Sequence, residues 1–127
     1  MDVKTIMTSD ETGSGMVDYA RGIADKLVRN NLKTNQIRNI FTEVRQIESI
    51  YSMDKKTEAL RRLTMLKPKL AYQSKRHREV SDLEKELVGA IDEVVKAPEG
   101  KRDEIFQRFV DFFEAILAYH KALGGRD

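Results

Sequence analysis

Apolar residues return every three or four positions along most of the chain and nowhere alternate with period two. That pattern predicts helices and no strand. From Met16 the positions 16, 20, 23, 24, 27 and 28 form one stripe, which stops near Asn30-Asn31. Thr34 is suited to cap the next helix, because its hydroxyl can accept from a free backbone N–H. There Ile37, Ile40, Phe41, Val44, Ile47 and Tyr51 give the cleanest helical signal. Asp54 is expected to cap a third helix with Leu60, Leu63 and Leu66 inward. Pro68 then predicts a kink or a new helix start, with Leu70, Ala71 and Tyr72 continuing the stripe. Ser81, with Glu84 three residues on, reads as a capping box for a helix that turns Leu83, Leu87, Ile91, Val94 and Val95 inward. A loop is expected at Ala97-Pro98-Glu99-Gly100. The last helix carries Ile105, Phe106, Phe109, Val110, Phe113, Ile116, Leu117 and His120, and stops at Gly124-Gly125.

With only 2 Pro and 7 Gly in 127 residues there are few places to break a helix. The expected architecture is all-α: a single-domain bundle of five to six helices over residues 16–127, with short loops and no internal repeat. Residues 1–15, ending in Gly13-Ser14-Gly15, read as an N-terminal tail or loop.

Composition removes several function classes. The chain has no cysteine, which excludes a disulfide scaffold, a thiol nucleophile and a thiolate metal site. Its longest apolar runs are short, such as Ala115-Ile116-Leu117-Ala118, far below the ~20 residues a membrane span needs. The opening MDVKTIMTSDET lacks the basic start and apolar core of a secretory signal. A cytoplasmic protein with no membrane contact is the expectation.

Catalytic chemistry is equally thin. The two histidines, His77 and His120, have neither i, i+4 partners nor a carboxylate at the spacing of a metal-binding helix. His77 sits inside Ser74-Lys75-Arg76-His77-Arg78, where positive neighbours repel a cation. His120 closes an aromatic stripe and reads as a capping or packing residue. No P-loop, glycine-rich phosphate cradle or nucleophile elbow is present. The expectation is a non-enzyme without metal or cofactor.

Charge is where the sequence becomes specific. The net of +2 divides into −1 for residues 1–30, +8 for 31–78 and −5 for 79–127. From Lys55 to Arg78 nine basic residues face one acid, Glu58. Such a concentration favours a polyanion face. Arg38 and Arg45 are seven apart and share a side of their helix; Lys69 and Arg76 have the same spacing, near Tyr72, which can stack on a base or fill core. The plainer reading pairs this basic face with the acidic C-terminal third, within or between subunits, in a helical protein-interaction bundle. A helix-turn-helix DNA regulator is a further reading, on Leu32–Asn39, a capped, polar helix start after a short turn. The full core stripe of that helix suits packing better.

Three stretches carry a family resemblance. They are Thr34-Asn35-Gln36-Ile37-Arg38-Asn39-Ile40, then Leu66-Lys67-Pro68-Lys69-Leu70-Ala71-Tyr72-Gln73 followed by Arg76, and Phe113-Glu114-Ala115-Ile116-Leu117-Ala118-Tyr119-His120-Lys121 ending Gly124-Gly125-Arg126-Asp127. In order and spacing the chain from residue 16 resembles the small α-helical subunit of the type III-A CRISPR–Cas effector, the Csm complex. It departs from the family pattern at Pro68 and in the very basic Lys75-Arg76-His77-Arg78. The resemblance implies a non-catalytic subunit that stacks in several copies along the guide RNA–target RNA duplex, beside other Csm subunits. Base pairing reads the sequence in RNA-guided effectors, so this subunit would grip backbone. Arg38, Arg45, Lys69 and Arg76 are the first candidates for phosphate contact, with Lys67, Arg78 and Lys121 behind them. Thr34, Tyr119 and His120 are expected to serve capping and helix packing. The acidic C-terminal third can meet the basic segment of the next copy, head to tail.

Overall fold

The computed structural model describes residues 2–127 and holds six α-helices, with no strand among those residues. They are α1 (Val3–Thr8), α2 (Ser14–Arg29), α3 (Thr34–Ser52), α4 (Lys56–Arg76), α5 (Ser81–Lys96) and α6 (Glu99–Ala122), with a 3-10 turn, Arg78–Val80, before α5. The all-α expectation and its upper helix count hold.

Helix α6 is the axis of the bundle. Phe109, Phe112, Phe113 and Ile116 are fully buried on it, and it packs against α1, α2, α3 and α5. Phe112 and Phe113 are adjacent, about 100° apart around a helix, so α6 must be covered on more than one side. Phe113 meets Phe41 of α3 edge-on, with ring centroids 5.1 Å apart, and Phe106 stacks on Tyr51 at 4.3 Å. Such pairs add about 0.5–1.5 kcal/mol to the burial itself.

The N-terminal segment differs from the tail expected for residues 1–15. Met1 lies outside the described residues, but Val3–Thr8 form α1, whose Ile6 and Met7 are completely buried against α5 and α6. Asp2 caps it by accepting from the Thr5 N–H at 2.9 Å, and this bond is the main reason its carboxyl lies below the usual range. Arg108 of α6 donates to the Met7 carbonyl at the other end. Helix α2 then starts two residues earlier than its stripe. Gly13 takes a left-handed φ of 83°, and the Asp10 carboxylate accepts from the N–H groups of Gly15 and Met16 at 3.3 and 2.7 Å. Asp10→Ala should destabilise the fold by about 1 kcal/mol, the usual worth of such a cap, read as a lower urea midpoint with unchanged slope.

Several expected caps act otherwise. Asn31 ends α2 as foreseen, in the left-handed region at φ 65°, with the Leu32 N–H returning to the Leu27 carbonyl. Asp54 also has a positive φ, 62°, and sits in the turn before α4 without capping it. Thr34 is the first residue of α3 and not its cap; the Lys33 N–H is satisfied by the Gln36 side chain at 2.8 Å. Ser81 lies inside the first turn of α5 and its hydroxyl bridges to Ser74 of α4 at 2.8 Å. The loop around Pro98 shrinks to Ala97-Pro98, because Glu99 and Gly100 already belong to α6. Pro68 starts no new helix: α4 runs through it.

Candidate nucleic-acid interface

Helices α3 and α4 form an antiparallel hairpin. Glu43 pairs with Lys69 at 2.5 Å, and Gln46 accepts from Arg62 at 3.4 Å, so rising numbers on one helix meet falling numbers on the other. The hairpin carries all twelve basic residues of the +8 segment except Lys33, Lys55 and Arg78, which flank its helices.

The candidate cations do not share one face. Arg45 reaches away from α4: its guanidinium bonds Glu48 at 2.8 Å and Glu114 of α6 at 3.1 Å, and lies 4.8 Å from the Phe41 ring centre. The Glu48 hydrogen bond is the largest cause of its raised pKa. Glu43, which faces α4, is two residues earlier on α3, about 200° around the helix. Arg38, two turns before Arg45 and so on the same side of α3, is exposed. Lys67 turns to α5 and pairs with Asp92 at 2.7 Å, while Lys121 approaches Asp127 at 3.6 Å. The single basic surface expected from the sequence is therefore two flanks, one toward α6 and one on the outer side of α4.

Ion pairing sorts the cations further. Among the described residues, Arg45, Lys56, Lys67 and Lys69 have carboxylate partners, and the other eight cations of the middle segment have none. Three of these pairs, to Glu114, Asp103 and Asp92, join the basic middle to the acidic C-terminal third within one chain. Part of the acidic third is thus already used internally. Asp103 also accepts from the Tyr51 hydroxyl, the first cause of its lowered pKa, ahead of Lys56.

The unpaired cations gather on α4. Arg61, Lys75 and Arg76, followed by Arg78, lie on or just beyond its outer side, and the half-buried Arg62 reaches Gln46 on the α3 side. Between them, Met65 and Tyr72 are 53% and 59% exposed. Tyr72 and Ala71 do not continue the core stripe as expected; Leu70 does. Val95 likewise faces outward while Val94 is buried. Arg76 lies over the Tyr72 ring, 5.7 Å from its centre. Beside this strip runs a groove of about 630 Å³, lined among others by Asn39, Ile40, Met65, Pro68, Tyr72 and Gln73. His77 sits at its end, at the α4 C-terminus, and lends no metal site: among the described residues no three His, Asp or Glu side chains converge.

The N-terminal end of α3 is covered by the C-terminal residues that follow α6. His120 is fully buried; its Nε2 meets the Leu32 carbonyl at 2.7 Å and its Nδ1 lies 3.3 Å from the Thr34 hydroxyl. Gly124 turns left-handed at φ 99°, the Gly125 N–H bonds the His120 carbonyl at 2.8 Å, and the Arg126 carbonyl accepts from the Thr34 N–H at 2.7 Å. This is a 6→1 helix stop extended into a strap. Gly125 has no room for a side chain, since a Cβ there would overlap the His120 ring. His120 and Thr34 are structural, as expected, and Tyr119 is half-buried beneath Arg21. A recognition helix reads DNA with its N-terminal residues; here that end of α3 is covered.

The three stretches singled out in the sequence thus converge on the first half of α3. The last meets it at the strap, and the middle one meets it across the groove. The Csm2 Type III-A family model matches residues 10–126, nearly the whole chain. The chain belongs to the Csm2 type III-A family. A Csm2 protein of Streptococcus thermophilus, described as a CRISPR system protein, is 29% identical over 126 residues, covering 91% of this chain and 97% of the relative. No solved structure matches. Csm2 membership bears out the resemblance read from the three stretches and makes the chain a small subunit of a Csm complex. The match begins at Asp10, the residue that caps α2, so α1 precedes the Csm2-matched region. No helix among the described residues is long and apolar enough to cross a membrane.

Proposed function

We propose that this Csm2-family chain is a non-catalytic subunit that stacks in several copies along the guide RNA–target RNA duplex and holds RNA backbone through its unpaired cations. The observation that supports this reading is the strip Arg61, Lys75, Arg76 and Arg78, with Arg62 at its α3 edge, whose charges no carboxylate neutralises among the described residues. Arg38 adds a second contact on the α6 flank. Arg45, Lys67, Lys69 and Lys121 are weaker candidates, because a phosphate must compete with their present partners. Those pairs are exposed and worth only about 0–1 kcal/mol each, so they lower the gain without forbidding contact. Stacking of copies rests on family kinship and on the acids the chain leaves unpaired. The subunit works in the cytoplasm beside other Csm subunits.

Fluorescence anisotropy of the chain on single-stranded RNA tests the backbone grip. Binding should be independent of sequence, and log affinity should fall with log salt by about 0.7 per phosphate neutralised. An Arg38, Arg76, Arg78 triple alanine variant should make that slope shallower by about 2. An Arg45, Lys67, Lys69 triple variant should change it less. Equal slopes for wild type and the first variant would refute the assignment of these three arginines.

A further inference from the structure

We propose that the groove between α3 and α4 is a binding site for one unstacked nucleobase, which lies on Tyr72 while its phosphate is held by Arg76. The inference rests on the RNA-binding reading above and adds a base contact to a subunit otherwise expected to touch backbone alone.

Four observations point to this ligand. First, Tyr72 is an aromatic ring 59% exposed at the edge of the groove, on a helix whose apolar residues are otherwise mostly inward. Aromatic rings in basic surroundings are the usual platform for single-stranded bases. Second, the Arg76 guanidinium already lies over that ring, and Lys75, His77 and Arg78 follow it, so the site is fitted for an anion next to a flat apolar body. Third, the groove volume, about 630 Å³, falls within the range of small-molecule sites. Its one lining acid, Glu43, is neutralised by Lys69. Fourth, the side-chain amides of Asn39 and Gln73 line it without a hydrogen-bond partner among the described residues. An amide offers both a donor and an acceptor, so it can meet the polar edge of any base. The site would tolerate sequence and still require a base.

An apolar knob from a partner protein would want Met65, Pro68 and Ile40 but gains nothing from the free amides or the ring of cations. The chemistry favours a nucleotide.

The test compares two RNAs of equal length, one with its bases and one abasic, on the full chain and on Tyr72→Ala and Tyr72→Phe. Wild type and Tyr72→Phe should bind the base-bearing RNA about 5- to 100-fold more tightly than the abasic one, the worth of one stacked base. Tyr72→Ala should lose that preference, keep the salt slope and, because the ring is exposed, keep its thermal midpoint. A photoreactive uridine in the RNA should crosslink within the Leu70–Gln73 peptide. Salt-dependent binding with no preference between the RNAs in wild type would overturn the base site and leave the backbone reading standing. No salt-dependent binding at all would overturn both. If Tyr72→Ala binds both RNAs as wild type does but drops out of the nuclease-treated complex, the groove seats a protein side chain and the proposal fails.

Discussion

Replacing His120 by alanine should lower the unfolding free energy by about 3–5 kcal/mol and the thermal midpoint by roughly 10–20 °C. The imidazole is fully buried between α6 and the start of α3. The Leu32 carbonyl can only accept, so Nε2 carries the proton it donates there, and in the neutral ring Nδ1 is left to accept from the Thr34 hydroxyl. Alanine removes both bonds and leaves a buried carbonyl without a partner, at a cost of about 1–3 kcal/mol. It also empties the volume of a ring, which brings the total to about 3–5 kcal/mol, the upper range of large-to-small changes in a core. The strap resting on the ring, with Gly125 against it and Arg126 bonded to Thr34, would lose its seat. His120→Gln, whose amide can still donate to Leu32, should recover part of the loss. Urea unfolding followed by far-UV circular dichroism measures both. RNA affinity of the folded variant should stay at the wild-type value; a fall there with stability intact would make His120 a contact residue and not a structural one.

Helix positions were legible because period alone fixes them. The stripes on α2, α3 and α6 are buried almost residue for residue. The failures have geometric causes. Tyr72 follows Leu70 by two residues, about 200° around a helix, so both cannot face one core. Val95 is about 100° from Val94, enough to put it at the edge. Helix α1 was also written in the sequence, in Val3, Ile6 and Met7 at i, i+3, i+4 after a capping Asp2, but six residues are too few to stand out from a polar tail. Expected caps fail where tertiary contacts take over: the Thr34 hydroxyl meets His120 instead of a free N–H of its own helix, and the Thr34 N–H donates to the carbonyl of Arg126, 92 positions later.

The interface was legible as charge and not as geometry. Counting found twelve cations between residues 31 and 78. Which of them stay free depends on the partners that α5 and α6 bring, and local spacing says nothing of those. Arg38 with Arg45, and Lys69 with Arg76, share a helix side by the seven-residue repeat alone. The rotation of α3 relative to α4, which sends the two pairs to different flanks, is set by packing of the whole bundle. The same packing leaves Tyr72 outside, and of the two roles its place in the sequence offers, base stacking and core filling, the structure removes the second.

Pro68→Ala should stabilise the protein, by about 1–3 kcal/mol. Pro68 is exposed in the interior of α4, twelve residues beyond its start. It has no N–H to give the Thr64 carbonyl, and its ring crowds that carbonyl. Alanine restores the bond and is the best helix former. Against this, proline narrows the unfolded ensemble, which offsets about 0.4–1 kcal/mol. The balance favours alanine because exposed interior prolines cost about 3 kcal/mol relative to it. A rise in the urea midpoint checks the sign, and a fall would mean that packing of the ring in the groove outweighs the lost hydrogen bond. A destabilising residue at the wall of a candidate binding groove fits the general trade of stability for function. If Pro68 shapes that groove, the stabilised variant should also discriminate less between base-bearing and abasic RNA, while its salt slope stays that of the wild type.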